Sequence, residues 1–291
     1  MILELFNIVA PVVICAAIGF TWSRFGLPFE TPFVTTLVTN IAAPCLIAST
    51  FTRLNVSPEA FGQIAGAAAL AILAFMVIGA VVLKAAGLSL HAFLPAMMFG
   101  NAGNMGLPLT LFAFGQEGLA LGIAYFAVNS TGNFTIGALI SSGSTSFGKL
   151  VRTPVIWAVA FALVLMFTGT KPPVFIANTL NLLGNIAIGL MLLALGVSLS
   201  RLKVRSLGQT IGLALLRLGM GFGVGFGLSH LLGLEGAARG VVILQSAMPV
   251  AVFNYLFAQR YGRSPEEVAS VVVASTLISF ATLPLLLLVV L

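Results

Sequence analysis

Aspartate does not occur in this chain of 291 residues, and its seven acidic side chains are all glutamates. Glu4, Glu30, Glu59, Glu117, Glu235, Glu266 and Glu267 each stand at or near the edge of an apolar stretch, none at its middle. Charged residues make up 7% of the chain, where soluble domains carry about 25%. Water is thereby excluded as the main solvent of the fold. Cysteine is equally scarce. Cys15 and Cys45 both sit in apolar stretches, which argues against a disulfide framework. There is no HExxH pattern, no pair of carboxylates inside a span and no Cys/His cluster. Intramembrane hydrolysis and metal or cofactor chemistry are disfavoured accordingly, and the chain reads as a non-enzyme. The opening MILELFNIVAPVVICAAIGF has no basic region and no small-residue cleavage pattern, so it reads as a mature first helix and not a signal peptide.

What is present is apolar: 59% hydrophobic residues and a mean hydropathy of +1.15. The solvent these numbers call for is a bilayer. The net charge of +6 then reads as membrane topology and not as nucleic-acid binding. Apolar segments separated by short turn-forming breaks can be counted. They fall at about 4–22, 32–51, 61–84, 92–113, 118–140, 152–169, 175–199, 207–231, 237–258 and 266–290, each long enough to cross. Breaks such as FGLPFETP, TGTKPP and RYGRSPEE carry turn chemistry and leave no room for a soluble domain. The expected fold is an all-α polytopic membrane protein of ten transmembrane helices.

Basic residues give the orientation. Arg24, Lys84, Lys149, Arg152, Arg201, Lys203, Arg205, Arg260 and Arg263 follow spans 1, 3, 5, 7 and 9, against Arg53, Lys171 and Arg239 on the other side. By the positive-inside rule both termini face outward from the cell membrane.

The two halves match each other. FGQIAGAAALAILAFMVIGAVVLKAAGL (61–88) aligns without gaps on LGQTIGLALLRLGMGFGVGFGLSHLLGL (207–234), sharing the GQ pair and the late GL. A five-span unit has an odd number of crossings, so its second copy enters the membrane inverted, as in many secondary transporters. The expected repeats are 1–145 and 146–291.

Spans 4 and 9 then correspond, and both are interrupted. Span 4 carries GNAGNMGLPL (100–109) and span 9 carries QSAMPV (245–250). Pro108 and Pro249 lie near mid-span, where proline removes a helical hydrogen bond. In hydrocarbon such a break is tolerated only within protein or beside a water-filled cavity. Asn101, Gly103 and Asn104 surround the first proline, and Gln245, Ser246 and Asn254 the second. Crossing half-helices would aim N-termini and amides at one point, an arrangement suited to an anion. Asn101, Gly103, Asn104, Pro108, Gln245, Pro249 and Asn254 are the expected substrate-site residues.

With these residues in view, GNAGNMGLPL and QSAMPVAVFNYLFAQRYG (245–262) resemble the signatures of the auxin efflux carrier family, which includes plant PIN carriers and bacterial carboxylate carriers. The resemblance covers essentially the whole chain. It implies the fold shared with bile-acid symporters and sodium/proton antiporters. Spans 1, 2, 6 and 7 would form a scaffold that dimerises, and spans 3–5 and 8–10 a mobile domain moving like an elevator. It also implies that Asn101 helps hold a substrate carboxylate. Plant carriers have proline just before that asparagine, where Gly100 stands here.

Weaker signals remain. Asn129, Ser130 and Asn133 in span 5 and Ser275 and Ser279 in span 10 occupy roughly equivalent repeat positions. In related symporters such clusters bind sodium; interhelical hydrogen bonding is the alternative. Arg217, the one basic residue well inside a span, either attracts an anion or snorkels to the nearer interface. His91 and His230 read as interfacial, Pro44 as a kink, and Met97, Met98, Met105 and Met248 as packing. The function expected is a secondary carrier for a small organic anion, a carboxylate such as an auxin-like acid or a dicarboxylate, working as efflux or uniport driven by membrane potential. Sodium-coupled symport and a ligand sensor on a transporter fold are the alternatives.

Overall fold

In the computed structural model, residues 2–53, 57–143, 172–201 and 207–291 are described, with a few positions from 157 to 170. The expected sixth span at 152–169 therefore lies largely outside the described residues.

The described elements are helical. They are α1 (Ile2–Arg24), α2 (Thr31–Leu37), α3 (Ala43–Arg53), α4 (Pro58–Ala85), α5 (Leu90–Met98), α6 (Leu107–Gly132), α7 (Ala138–Ser142), α8 (Val174–Arg201), α9 (Leu207–Leu231), α10 (Gly236–Ser246), α11 (Val252–Tyr261) and α12 (Pro265–Val290). Three π-helical stretches, Val38–Ala42, Ala102–Gly106 and Asn133–Gly137, join neighbours within longer rods.

Local chemistry explains where the rods start and stop. Ahead of α4, the Ser57 side chain accepts the Ala60 N–H at 3.1 Å, and Pro58 occupies the first turn, where no N–H is needed. Lys84 lies in its last turn and Gly87 beyond it takes φ +68. α12 likewise has proline in its first turn, Pro265, followed by Glu266 and Glu267, but Ser264 ahead of it gives no side-chain cap. Leu70, Leu73, Val77 and Val81 form an exposed apolar stripe along α4, which is a lipid-facing surface in a bilayer and a liability in water.

Seven helical runs among the described residues are long and apolar enough to cross a membrane. The difference from the expected ten has identifiable sources. Spans 4 and 9 are each two short helices about a break, and span 6 lies largely outside the described residues. The run at 102–142 joins the second half of span 4 to span 5. Inside that run the chain turns at Gly115, whose φ of 63° and ψ of −153° are open to glycine alone.

Two groups of helices frame the site. α1 and α8 touch backbone to backbone because Gly19 faces Leu193 and Gly196 faces Ala16. Gly184 also brings α8 against the backbone of Leu46 of α3, less tightly. The second group comprises α4, α5, α9 and α12, closed around Phe75, Phe93, Met97, Leu213, Val268 and Val272. Two of the basic side chains tie neighbouring helix ends to each other. Arg201 donates to Thr31 Oγ1 at 2.8 Å and to the Phe29 carbonyl at 3.1 Å, and Arg263 Nε donates to the Ser141 carbonyl at 3.2 Å.

Candidate functional site

α5 stops at Met98 because Phe99 is extended (φ −112°, ψ 108°), and α10 stops at Ser246. The two breaks then run antiparallel, with Gly100 opposite Val250. The Asn101 N–H donates to the Pro249 carbonyl at 2.7 Å, and the Ala251 N–H donates to the Phe99 carbonyl at 3.2 Å. Side chains satisfy what remains. Asn254 Nδ2 donates to Phe99 O at 3.0 Å, Asn129 Nδ2 donates to Gly100 O at 3.1 Å, and Ser275 Oγ accepts the Val250 N–H at 3.1 Å. Irregular backbone survives at membrane depth only with such internal partners.

The first break falls at Phe99–Asn101, ahead of Pro108, not at it. Pro108 lies at the start of α6, in the chain that runs on from the π-helical stretch Ala102–Gly106. Only Pro249 lies within a break. The two prolines are therefore not structural counterparts, although each marks its own crossing helix.

Beyond the breaks the second half-helices start at Ala102 and Val252. The first N–H groups of a helix have no intrahelical acceptor and carry its positive dipole end. Between them lies a small cavity of about 60 Å³, lined by Gly100, Asn101, Gly103, Asn104, Asn129, Ser130, Asn133, Phe134, Ala251 and Phe253, with Val38, Ala43, Phe126 and Met191 closing it. No acidic or basic side chain contributes to this lining. Asn101 Nδ2 and Asn133 Oδ1 are buried without a partner, a state that costs free energy unless a ligand or water completes it. The Phe134 and Phe253 rings meet edge to face at 5.1 Å. Through Val38, Asn104, Met191 and Phe253 the cavity adjoins a larger one of about 570 Å³ that reaches Thr31 and Arg201. A separate cleft of about 300 Å³ holds Ser49, Thr50, Gln116, Asn181 and Asn185.

The expected residues divide. Asn101, Gly103, Asn104, Asn129, Ser130 and Asn133 share the small cavity. Pro249 and Asn254 act on the breaks themselves, and Ser275 holds Val250 in place. Gln245 lies away from the cavity, its amide wedged against Gly106 and Gly122 with both polar atoms unpartnered. Ser279 donates to its own helix at Thr276 O, 2.7 Å, and faces Met105 Sδ at 3.9 Å. His230 bonds the carbonyl of Phe226 in its own helix and His91 the carbonyl of Ile140, both exposed.

One side chain has a role that sequence reasoning missed. Arg217 on α9 is 1% exposed, so it does not snorkel. Its Nη1 donates to the Met97 carbonyl and its Nη2 to the Ser246 carbonyl, both at 3.2 Å. The guanidinium lies 4.7 Å over the Phe75 ring. The signal was its position in mid-span; its partners were hidden because they are backbone carbonyls. Tyr125 completes the group, its hydroxyl 3.0 Å from Ser246 Oγ.

Residues 138–287 match the model of a family described as membrane transport protein. The chain belongs to this family, the auxin efflux carriers. An uncharacterized transporter of Methanocaldococcus jannaschii is 26% identical over 303 residues, covering 96% of each chain. Another, from Methanothermobacter thermautotrophicus, is 31% identical over 197 residues, 65% of this chain and 64% of the relative. Auxin efflux carrier component 1 of Arabidopsis thaliana is 25% identical over 138 residues, 45% of this chain and 22% of that longer protein. The family comprises membrane transporters and not enzymes, so this chain is a transporter and not an enzyme.

Proposed function

We propose that this transporter is a secondary carrier for a small organic anion, a carboxylate, working by elevator-type alternating access and driven by membrane potential. The observation that carries the reading is the small cavity between two half-helix N-termini, lined by amides and free of acidic groups. Helix N-termini and amide donors favour negative charge. No carboxylate is present there to carry a proton, so direct proton antiport through the site is disfavoured. About 60 Å³ is roughly the share of two waters and matches a carboxylate head. The adjoining 570 Å³ takes the rest of a small acid. Asn101, Gly103 and Asn104 are the proposed head-group contacts, with Pro249 and Asn254 fixing their backbone. Pro108 and Gln245 support them from behind.

The same reading holds ten spans as two inverted repeats, 1–145 and 146–291. Spans 1, 2, 6 and 7 form a dimerising scaffold, and the rest a mobile unit, in the cell membrane with both termini outside. The glycine-tight seam of α1, α3 and α8 supports a rigid scaffold. The larger cavity reaches Arg201, on the side the basic loops assign to the cytoplasm, so the conformation is inward-facing. Asn129, Ser130 and Asn133, with Ser275 and Ser279, are the groups a coupling sodium would use. Ser275 Oγ already accepts the Val250 N–H, whereas Ser279 Oγ only donates and keeps its lone pairs for a cation, so sodium symport stands as the alternative.

Reconstitution in proteoliposomes tests this, with benzoate, indole-3-acetate, succinate and malate as labelled probes and with sodium and membrane potential varied independently. Uptake of at least one acid, steered by potential and indifferent to sodium, is expected. Sodium-dependent uptake would move the reading to symport. Binding with no flux would make the protein a sensor and end the carrier proposal.

A further inference from the structure

The first halves of the two broken helices, α5 and α10, end on the same guanidinium. Met97 O lies in the last turn of α5 and Ser246 O is the last carbonyl of α10. Helix C-termini carry partial negative charge and unsatisfied carbonyls, so two of them facing each other in hydrocarbon are stabilised by a cation between them. Sodium or a proton carrier could supply it from solution; here Arg217 supplies it from α9. No carboxylate is among the partners of Arg217. Its charge is therefore only partly offset, by carbonyl dipoles and the Phe75 ring.

Gly100 makes the arrangement possible. Arg217 Nη2 occupies the space a Cβ on residue 100 would take, with Met248 O at 3.0 Å from that point. Gly100 also lines the small cavity. One residue of backbone thus separates the guanidinium from the substrate position.

We propose that Arg217 is a specificity-determining residue, a resident cation that locks the crossover from the C-terminal ends and supplies the fixed positive charge that selects an anion on the cavity side. This rests on the carboxylate-carrier reading for its selectivity part and on the hydrogen bonds alone for its locking part. At an effective dielectric of about 20, a unit charge several ångströms away changes anion affinity on the order of 10–100-fold.

The test uses the purified full chain and the variants Arg217→Lys, Arg217→Met and Arg217→Ala. Two readouts are taken: the thermal unfolding midpoint, and proteoliposome uptake of the best carried acid among benzoate, indole-3-acetate, succinate and malate. Each is measured with and without about 20 mM methylguanidinium or methylurea, which share a shape but not a charge. Arg217→Met is expected to lose uptake about 10-fold or more through a raised KM, and Arg217→Lys to keep more than Arg217→Met. Arg217→Ala is expected to regain both midpoint and uptake with methylguanidinium and neither with methylurea. Equal rescue by methylurea, or Arg217→Met matching Arg217→Lys, would overturn the proposal by reducing Arg217 to packing. If Arg217→Ala does not fold, the Lys and Met pair decides. If the wild type moves none of the acids, the carrier reading falls, and rescue of the midpoint alone then decides the locking role.

Discussion

The two sides of the crossover differ in a way that composition alone does not show. The side lined by Asn101, Asn129 and Asn133 has neutral amides, unpartnered atoms and a cavity. The side facing α9 has a fixed cation, an aromatic ring and the Tyr125–Ser246 hydrogen bond, all buried. Helix N-termini open toward the first and helix C-termini toward the second. The lesson is that one backbone crossing can present complementary polarity to two neighbours. On the proposed function, the first neighbour is a transient anion and the second is the permanent cation Arg217.

That contrast can be broken most severely at its open side. Asn101→Ala removes a buried, unpartnered donor that the proposed function assigns to the substrate. A hydrogen bond to a charged group is worth about 1.5–3 kcal/mol, so uptake of whichever carboxylate the wild type carries should fall on the order of 10–100-fold. The unfolding midpoint should stay close to wild type; undiminished uptake would remove Asn101 from the site.

Gly100→Ala strikes the boundary between the two sides. Its Cβ collides with the Arg217 guanidinium, and overpacking of this kind costs about 1–3 kcal/mol. The midpoint should drop, and combining it with Arg217→Met should recover part of the loss. A double-mutant cycle over the two positions measures this, and a coupling near zero would separate them. Gly115→Ala is a control outside both sides. Forcing a side chain onto φ 63° should cost about 1–3 kcal/mol, read as a lower midpoint with substrate KM unchanged. Ser275→Ala removes the acceptor of the Val250 N–H. Interhelical hydrogen bonds in membranes average about 0.6 kcal/mol, so a small midpoint change and nearly full uptake are expected.

Much of this was legible in the sequence. The glycine- and amide-rich segments near residues 100 and 245 marked both interruptions, and the amides named for the first lie around one cavity. The corner at Gly115 falls in the short gap between the fourth and fifth expected spans. The exact seat of the first break was not legible. Proline reads as a breaker along the chain, yet it is accommodated where Pro108 stands. Phe99–Asn101 is extended because it pairs with residues 249–251, about 150 positions away, and no local signal encodes that partner. Arg217 was ambiguous for the same reason. Gapless alignment of the halves pairs it with Ala71, so the repeat itself offers no precedent for a charge.

A charge that cannot leave the protein must travel with whatever unit holds it. If α9 moves with the mobile half, Arg217 crosses part of the membrane field on every cycle. A full unit charge in that field responds with about 2.3 kcal/mol per 100 mV. A monovalent anion would cancel it on the loaded stroke and leave it bare on the empty one. Voltage would then set the pace of the unladen return rather than the pull on the cargo.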